Sequence, residues 1–257
     1  MKIQITLAVL FFAFTFSGKA QYKRFPMSGA IRFEKSVNMY ALIRNMSNGK
    51  NSAYMGNMLD EYKKSNPQFR VSQSTLLFSE KQTLFTPDKV EANAESGFFE
   101  FSSADQSNTV YTELTTGRFI TQKVAFNETF LVKDSVRKIN WKITSELREI
   151  AGYECRRANA IILDSIYVVA FYTDQIPVSA GPESFQGLPG MILGVALPHE
   201  HITWFAKSVS DKSIPAADFK APAKGKPMDN KGFADTINKV LKQWGEFAGS
   251  ALKMLLL

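Results

Sequence analysis

Cys155-Arg156-Arg157-Ala158-Asn159-Ala160-Ile161-Ile162-Leu163 is followed by Asp164-Ser165, and then by Ile166-Tyr167-Val168-Val169-Ala170-Phe171-Tyr172. Two strand-length runs rich in Ile, Val and aromatic residues, separated by two turn-forming residues, are the pattern of a β-hairpin. So short a connection makes the two runs antiparallel, because parallel neighbours need a long crossover. The same organisation extends in both directions. Ala30 to Lys35 alternates apolar and polar residues, the period of a half-buried strand. Further strand-like segments run through 74–79, 82–85, 109–114, 118–126, 129–133 and 139–144, and downstream through 191–197 and 202–209. Gly, Asp, Asn and Pro punctuate most of the junctions, as at Thr116-Gly117. These segments predict a β-rich α+β fold: a curved antiparallel meander sheet of about ten strands.

Two regions break the β pattern. Between Val37 and Lys64, Met39, Leu42, Ile43 and Met46 recur at helical spacing, and Tyr54, Met55, Met58, Leu59 and Tyr62 form a second stripe after Gly49. Asn66-Pro67 closes this helical insertion near the N-terminus. From Phe233, the residues Ile237, Val240, Leu241, Trp244 and Phe247 make a C-terminal amphipathic helix, preceded by a Pro/Lys/Gly stretch, 215–227, that reads as a loosely ordered linker. Docking on the sheet is the plain reading of this helix. Attachment to a membrane surface or a partner is the alternative.

The first 20 residues have the composition of a secretory signal peptide. Lys2 precedes an apolar run to Phe16, and Gly18 and Ala20 are the small residues of a cleavage site. The run is shorter than the roughly 20 residues that span a bilayer, and no cysteine lies at the cleavage point. The expected organisation is a signal peptide over 1–20, a β-rich domain over 21–214, and a linker with helix over 215–257. The expected location is periplasmic or secreted, with no transmembrane segment after cleavage. The formal charge of +7 falls by two when Lys2 and Lys19 are removed, and the remaining basic residues are scattered among acids. Nucleic-acid binding needs them concentrated on one face, so that class is set aside. Cys155 is the single cysteine, which excludes an intramolecular disulfide.

A family resemblance rests on 139–195. Gly187-Leu188-Pro189-Gly190-Met191-Ile192-Leu193 resembles the signature of the GLPGLI family of exported bacterial proteins, with Met191 where the family name has Leu. Ile150-Ala151-Gly152-Tyr153-Glu154-Cys155 and Phe171-Tyr172-Thr173-Asp174-Gln175-Ile176-Pro177 are similar to two further elements of that family, Phe171 standing in place of Trp. The resemblance implies an exported β-rich protein of a Gram-negative group. It brings no catalytic residues.

The Gly187-Leu188-Pro189-Gly190 loop is the first candidate site. Leu188-Pro189-Gly190 fits a type II turn, proline setting φ at its first central position and glycine taking positive φ at its second. The loop is either a binding element on a rigid scaffold or an apolar plug over one end of the sheet. His199 and His201 are the only histidines; on one strand they would share a face, as two ligands of a zinc or copper ion must. The alternative is a pair of exposed turn histidines beside Pro198. Five methionines between Met27 and Met58 are of a type that suits Cu(I), but most fall on the helical stripes, where methionine fills cores. Cys155 beside Arg156-Arg157 could be a reactive thiol or a buried structural one. Asp134-Ser135-Val136, Asp164-Ser165-Ile166 and Asp235-Thr236-Ile237 resemble a short O-glycosylation pattern. No nucleophile elbow, zincin or P-loop pattern is present. The residues therefore point to a non-enzymatic envelope protein that binds a lipid, peptide or partner protein, with a periplasmic metal-binding or metal-trafficking protein as the alternative. No cofactor is implied.

Overall fold

A computed structural model of the chain describes residues 25–46, 52–88 and 108–257. The expected signal segment, 1–20, lies outside them. The order of elements is β1 (Gly29–Asn38), α1 (Met39–Met46), α2 (Ser52–Ser65), β2 (Phe69–Phe78), β3 (Gln82–Pro87), β4 (Thr109–Glu113), β5 (Arg118–Ala125) and β6 (Glu128–Ser135). There follow β7 (Lys142–Ile150), β8 (Tyr153–Ile162), β9 (Ile166–Thr173), β10 (Met191–Leu197), β11 (Ile202–Ser210), β12 (Lys226–Met228), α3 (Asn230–Leu241) and α4 (Ala248–Leu255).

The described strands form one sheet in the order β12-β6-β5-β4-β3-β2-β1-β11-β10-β9-β8-β7. Every pair is antiparallel except β12 on β6, which is parallel. The sheet is thus two meanders joined where β1 pairs β11. The eleven segments expected from sequence all form strands, and β12 makes the twelfth.

The topology demands strong curvature. Ten strand spacings separate β6 from β7, about 48 Å across a flat sheet at about 4.8 Å each. Yet only residues 136–141 connect them, and a fully extended connection of that length reaches about 25 Å. The sheet must curl until its two arms approach, leaving a concave interior. Inward-facing residues of β1, namely Ile31, Phe33, Lys35 and Val37, are all buried. With Leu76, Phe78, Phe85, Val168, Ala170, Ile192, Val195, Ile202 and Trp204, the apolar three of these (Ile31, Phe33 and Val37) line the main core, and Met39, Ile43, Met55 and Leu59 of α1 and α2 cap it.

Three expectations need correction. The 215–227 stretch is ordered rather than loose: a single 3-10 turn, Ala216–Asp218, leads into buried Phe219, and Lys226–Met228 pairs with Phe130–Val132. The parallel ladder compensates for the low strand propensity of this Pro/Lys-rich segment. The C-terminal helix is not continuous, because a 3-10 segment, Lys242–Phe247, contains Gly245 at φ +57° and separates α3 from α4. Glycine permits the left-handed conformation that breaks the helix. The bound set at Val37 for the helical region also shifts: Val37 belongs to β1, and the helix starts with its stripe at Met39.

Helix α3 starts at Asp229, whose carboxylate accepts from the Gly232 N–H at 2.7 Å, an ordinary N-cap. It buries Phe233, Ile237 and Leu241 against Ala125, Phe130 and Val132, a second apolar cluster beside the main core. Phe233, Ile237 and Leu241 of the expected stripe are therefore docked on the sheet, whereas Val240 and Trp244 are exposed. No helix among the described residues is long and apolar enough to cross a membrane.

Candidate functional site

The loop from Asp174 to Gly190 enters the concave interior. Ile176, Val178, Ala180, Phe185 and Leu188 are buried in the main core, while Pro177, Ser179, Gly187 and Pro189 face outward. Its backbone is paired by Met191 N–H to Ile176 O at 3.0 Å and Ile192 N–H to Ala180 O at 2.8 Å. The tip is not the expected type II turn. Gly190 N–H bonds back to Leu188 O at 2.8 Å, closing a three-residue turn around Pro189, and Gly190 has φ +152°. A Cβ on Gly190 would lie 2.1 Å from Thr173 O, so glycine is required by contact as well as conformation. The Gly187–Gly190 tip is a packed plug with exposed Gly187 and Pro189.

His199 and His201 sit in the turn between β10 and β11 rather than on a strand. The His201 ring Nε2 is 2.9 Å from Asn45 Nδ2 at the end of α1, whereas the His199 ring lies 6.4 Å from that of Tyr167 on β9. They face different elements, and Glu200 stands between them with its carboxyl raised above the usual range by burial. Among the described residues no three His, Cys, Asp or Glu side chains are grouped to hold a metal. Met39 and Met55 are buried and Met58 packs on the core; the Met46 side chain lies outside the described set. Cys155 is fully buried, its thiol donating to Tyr153 O at 3.5 Å, and burial pushes it up to about 12. At neutral pH it is a thiol, not a thiolate. Of the Asp-Ser/Thr tripeptides, Thr236 donates its hydroxyl to Gly232 O within α3 at 2.7 Å, and Asp134 accepts from the backbone N–H of Ser135 and Asn230.

The arrangement that does converge went unmarked in the sequence. Polar side chains line the concave face of β1 to β5: Lys35, Ser74, Thr83, Thr112, Thr121 and Lys123 are all buried. The plug contributes Glu183, also buried and held at φ +52°, which accepts from Asn108 Nδ2 at 3.1 Å. Desolvation raises its carboxyl above the normal range, against the pull of Lys35 and Lys123. Burial lowers the Lys123 ammonium to about 8, Glu183 opposing and Arg137 adding to the shift. Lys35 stands 5.4 Å above the Trp204 ring and Lys123 stands 5.7 Å above that of Phe233.

Lys123, with Arg137 and Ser184 beside it, meets one segment. Lys123 Nζ donates to Leu255 O at 2.9 Å, an Arg137 N–H to Leu256 O at 2.8 Å, and Ser184 Oγ to Leu257 O at 3.1 Å. They come from β5, from the 136–141 connection and from the plug. Burial is the cause that lowers the Arg137 guanidinium. The result is a cationic cradle inside the sheet that receives three successive main-chain oxygens. A neighbouring open depression of about 360 Å³ shares Val136 and Gln186 with the cradle wall, which brings that wall to solvent. The signal available in sequence was weak: Lys35 interrupts the apolar face of its strand, and Lys123 shows as inward only once the register of β5 is known.

A family model described as "Protein of unknown function (Porph_ging)" matches residues 162–194. This family of unknown function is found in Bacteroidetes proteins. The matched segment is β9, the plug and the start of β10. Seventeen solved chains resemble the structure. A structure of PNGF-II in space group C2 superposes with a TM-score of 0.51 at 15% identity, covering 81% of this chain and 32% of that one. A second, in space group P21, gives 0.50 at 17%, covering 82% and 33%. The chain thus spans about a third of PNGF-II, and at this identity the likeness is one of fold. No curated protein matches the sequence.

Proposed function

We propose that this is an exported, non-enzymatic binding protein of the GLPGLI type, acting in the bacterial periplasm or outside the cell. Its ligand is received in the concave interior of the sheet, at the cradle formed by Lys123, Arg137 and Ser184. One observation carries this reading: a buried lysine, Lys123, and a half-buried arginine, Arg137, are directed at carbonyl oxygens. Buried cations are costly unless paired or hydrogen-bonded, and an interior that keeps them is suited to an oxygen-rich guest. The signal-like residues 1–20 support export, and the string from Gly187 to Leu193 supports the family naming.

The test is native mass spectrometry of the protein recovered from the envelope of a bacterium that makes it, alongside a Lys123→Met/Arg137→Met double variant. A bound species present on the parent chain and lost from the folded variant is the expected result. An equal load on both, or none on either, would remove the cradle from the function. The same spectra report whether the chain begins at Gln21.

A further inference from the structure

We infer that the cradle is a recognition site for an apolar peptide presented as a C-terminal helical turn, and that residues 248–257 are its internal occupant. This rests on the binding reading above and names the ligand class. The last carbonyls of any helix have no partner within it. The last carbonyl of α4, that of Leu255, and the main-chain oxygens of Leu256 and Leu257 just beyond it are taken up, in sequence order, by an ammonium, a guanidinium and a hydroxyl from three separate elements. Cations at that end also match the helix dipole. A phosphate would be gripped by both cations at a single point; here they address carbonyls one peptide unit apart, the spacing of a polypeptide.

The side chains complete the selectivity. Leu257 reaches the main core, and Leu252, Leu255 and Leu256 pack against the cluster of Ala125, Phe130, Val132 and Phe233. The side chains of Leu252, Leu255, Leu256 and Leu257 are thus each accepted by an apolar surface. A basic side chain near Lys123 and Arg137 would be repelled in a medium that screens charge poorly.

The occupant is built to leave. It is tethered through Gly245, whose φ +57° and ψ −129° interrupt the helix where no heavy atom lies within 4 Å of a Cβ position. Its aliphatic residues are only half-buried up to Leu257. Lys253 adds a hydrogen bond to Ser165 Oγ in the β8–β9 turn, an exposed contact of small worth. A competing peptide of the same chemistry gains the same three hydrogen bonds, and Gly245 allows the strap to swing aside without unfolding α3.

The experiment uses the full chain and a fluorescent peptide of residues 251–257. In wild type, the peptide is expected to accelerate amide hydrogen exchange of 248–257 while leaving β4–β6 unchanged. A Leu257→Glu variant, checked for fold by circular dichroism, should bind the peptide at least tenfold more tightly than wild type by anisotropy. Adding Arg137→Met should reverse that gain. Anionic phospholipid vesicles form the second arm. Strap release by vesicles but not peptide would overturn the peptide assignment and leave the binding reading standing. No binding of either to the folded Leu257→Glu variant would overturn both, leaving α4 as a fixed part of the core.

Discussion

Gly190→Ala tests the plug most directly. The added Cβ falls 2.1 Å from Thr173 O and 2.8 Å from Thr173 C. Both are backbone atoms of β9, so no side-chain rotation relieves the overlap. Restoring ordinary contact moves β10 away from β9 by about 1 Å, and the Met191–Thr173 pairing is the first to suffer. Holding a non-glycine residue at φ +152° costs about 1–3 kcal/mol. Loosening one or two ladder hydrogen bonds adds about 1 kcal/mol each, and displacing buried Leu188 and Met191 adds a similar amount. The sum, about 3–6 kcal/mol, reaches the exceptional range for one substitution and removes much of a typical domain's stability of about 5–15 kcal/mol. Urea unfolding followed by circular dichroism measures it. Two glycines serve as controls. At Gly187 (φ +95°) a Cβ meets only the Trp141 ring, no closer than 3.5 Å, so Gly187→Ala costs conformation alone. At Gly56, inside α2, it meets nothing within 4 Å, so Gly56→Ala should stabilise by about 0.5–1 kcal/mol. A Gly190→Ala protein within about 1 kcal/mol of wild type would refute the close approach of the two strands.

Phe233→Ala removes the α3 side chain that packs edge-on against Phe130, at 5.3 Å and 72°; a loss of about 3–5 kcal/mol is expected, with faster trypsin cleavage after Lys239 and Lys242. Cys155 should resist iodoacetamide in the native protein and react fully once denaturant is added; native labelling at a rate like that of a free thiol would contradict its burial. For Lys123, the folded value of about 8 lies below the usual 10.5. Between these limits the unfolded chain binds more protons, so stability should rise with pH across about 8 to 10.5 and stay flat below, by about 3 kcal/mol at most. Lys123→Met should lack that rise, which paired urea titrations across this range would measure.

The strands were legible because alternation and turn residues are local properties. Ile31 and Phe33 share a face by period alone, and the Asp164-Ser165 turn makes β8 and β9 neighbours without reference to the remainder of the chain. The joining of β1 to β11 was not legible, since it brings together residues more than 160 positions apart and no local signal carries it. Lys226–Met228 was missed because its ladder with β6, not its propensity, makes it a strand. The turn at Pro189 was misread for a related reason: Pro-Gly admits several geometries, and Thr173 of the adjoining strand selects one of them. The histidines were read as a possible strand pair, yet His201 adopts φ +58° in the turn and so leaves the alternation that would have aligned them.

The cradle was hidden for a different physical reason. Surface lysines and buried lysines are the same letter, and only the register of β5 on β6 distinguishes Lys123, inside, from Lys133, outside. The family-matched stretch, 162–194, contains Glu183 and Ser184 together with the plug, but neither Lys123 nor Arg137 nor the strap. Two kinds of constraint therefore meet in one interior. Gly190 and Leu188 hold the floor by steric necessity, where any added atom disturbs paired backbone. Lys123 and Arg137 work by charge against carbonyls, an interaction that any chain offering the same three oxygens can satisfy. A substitution in the first group should change stability and leave selectivity alone, whereas one in the second should change what enters. That division makes the interior separable by experiment: a ligand lost without loss of fold belongs to the cations, and a fold lost before any ligand is measured belongs to the plug.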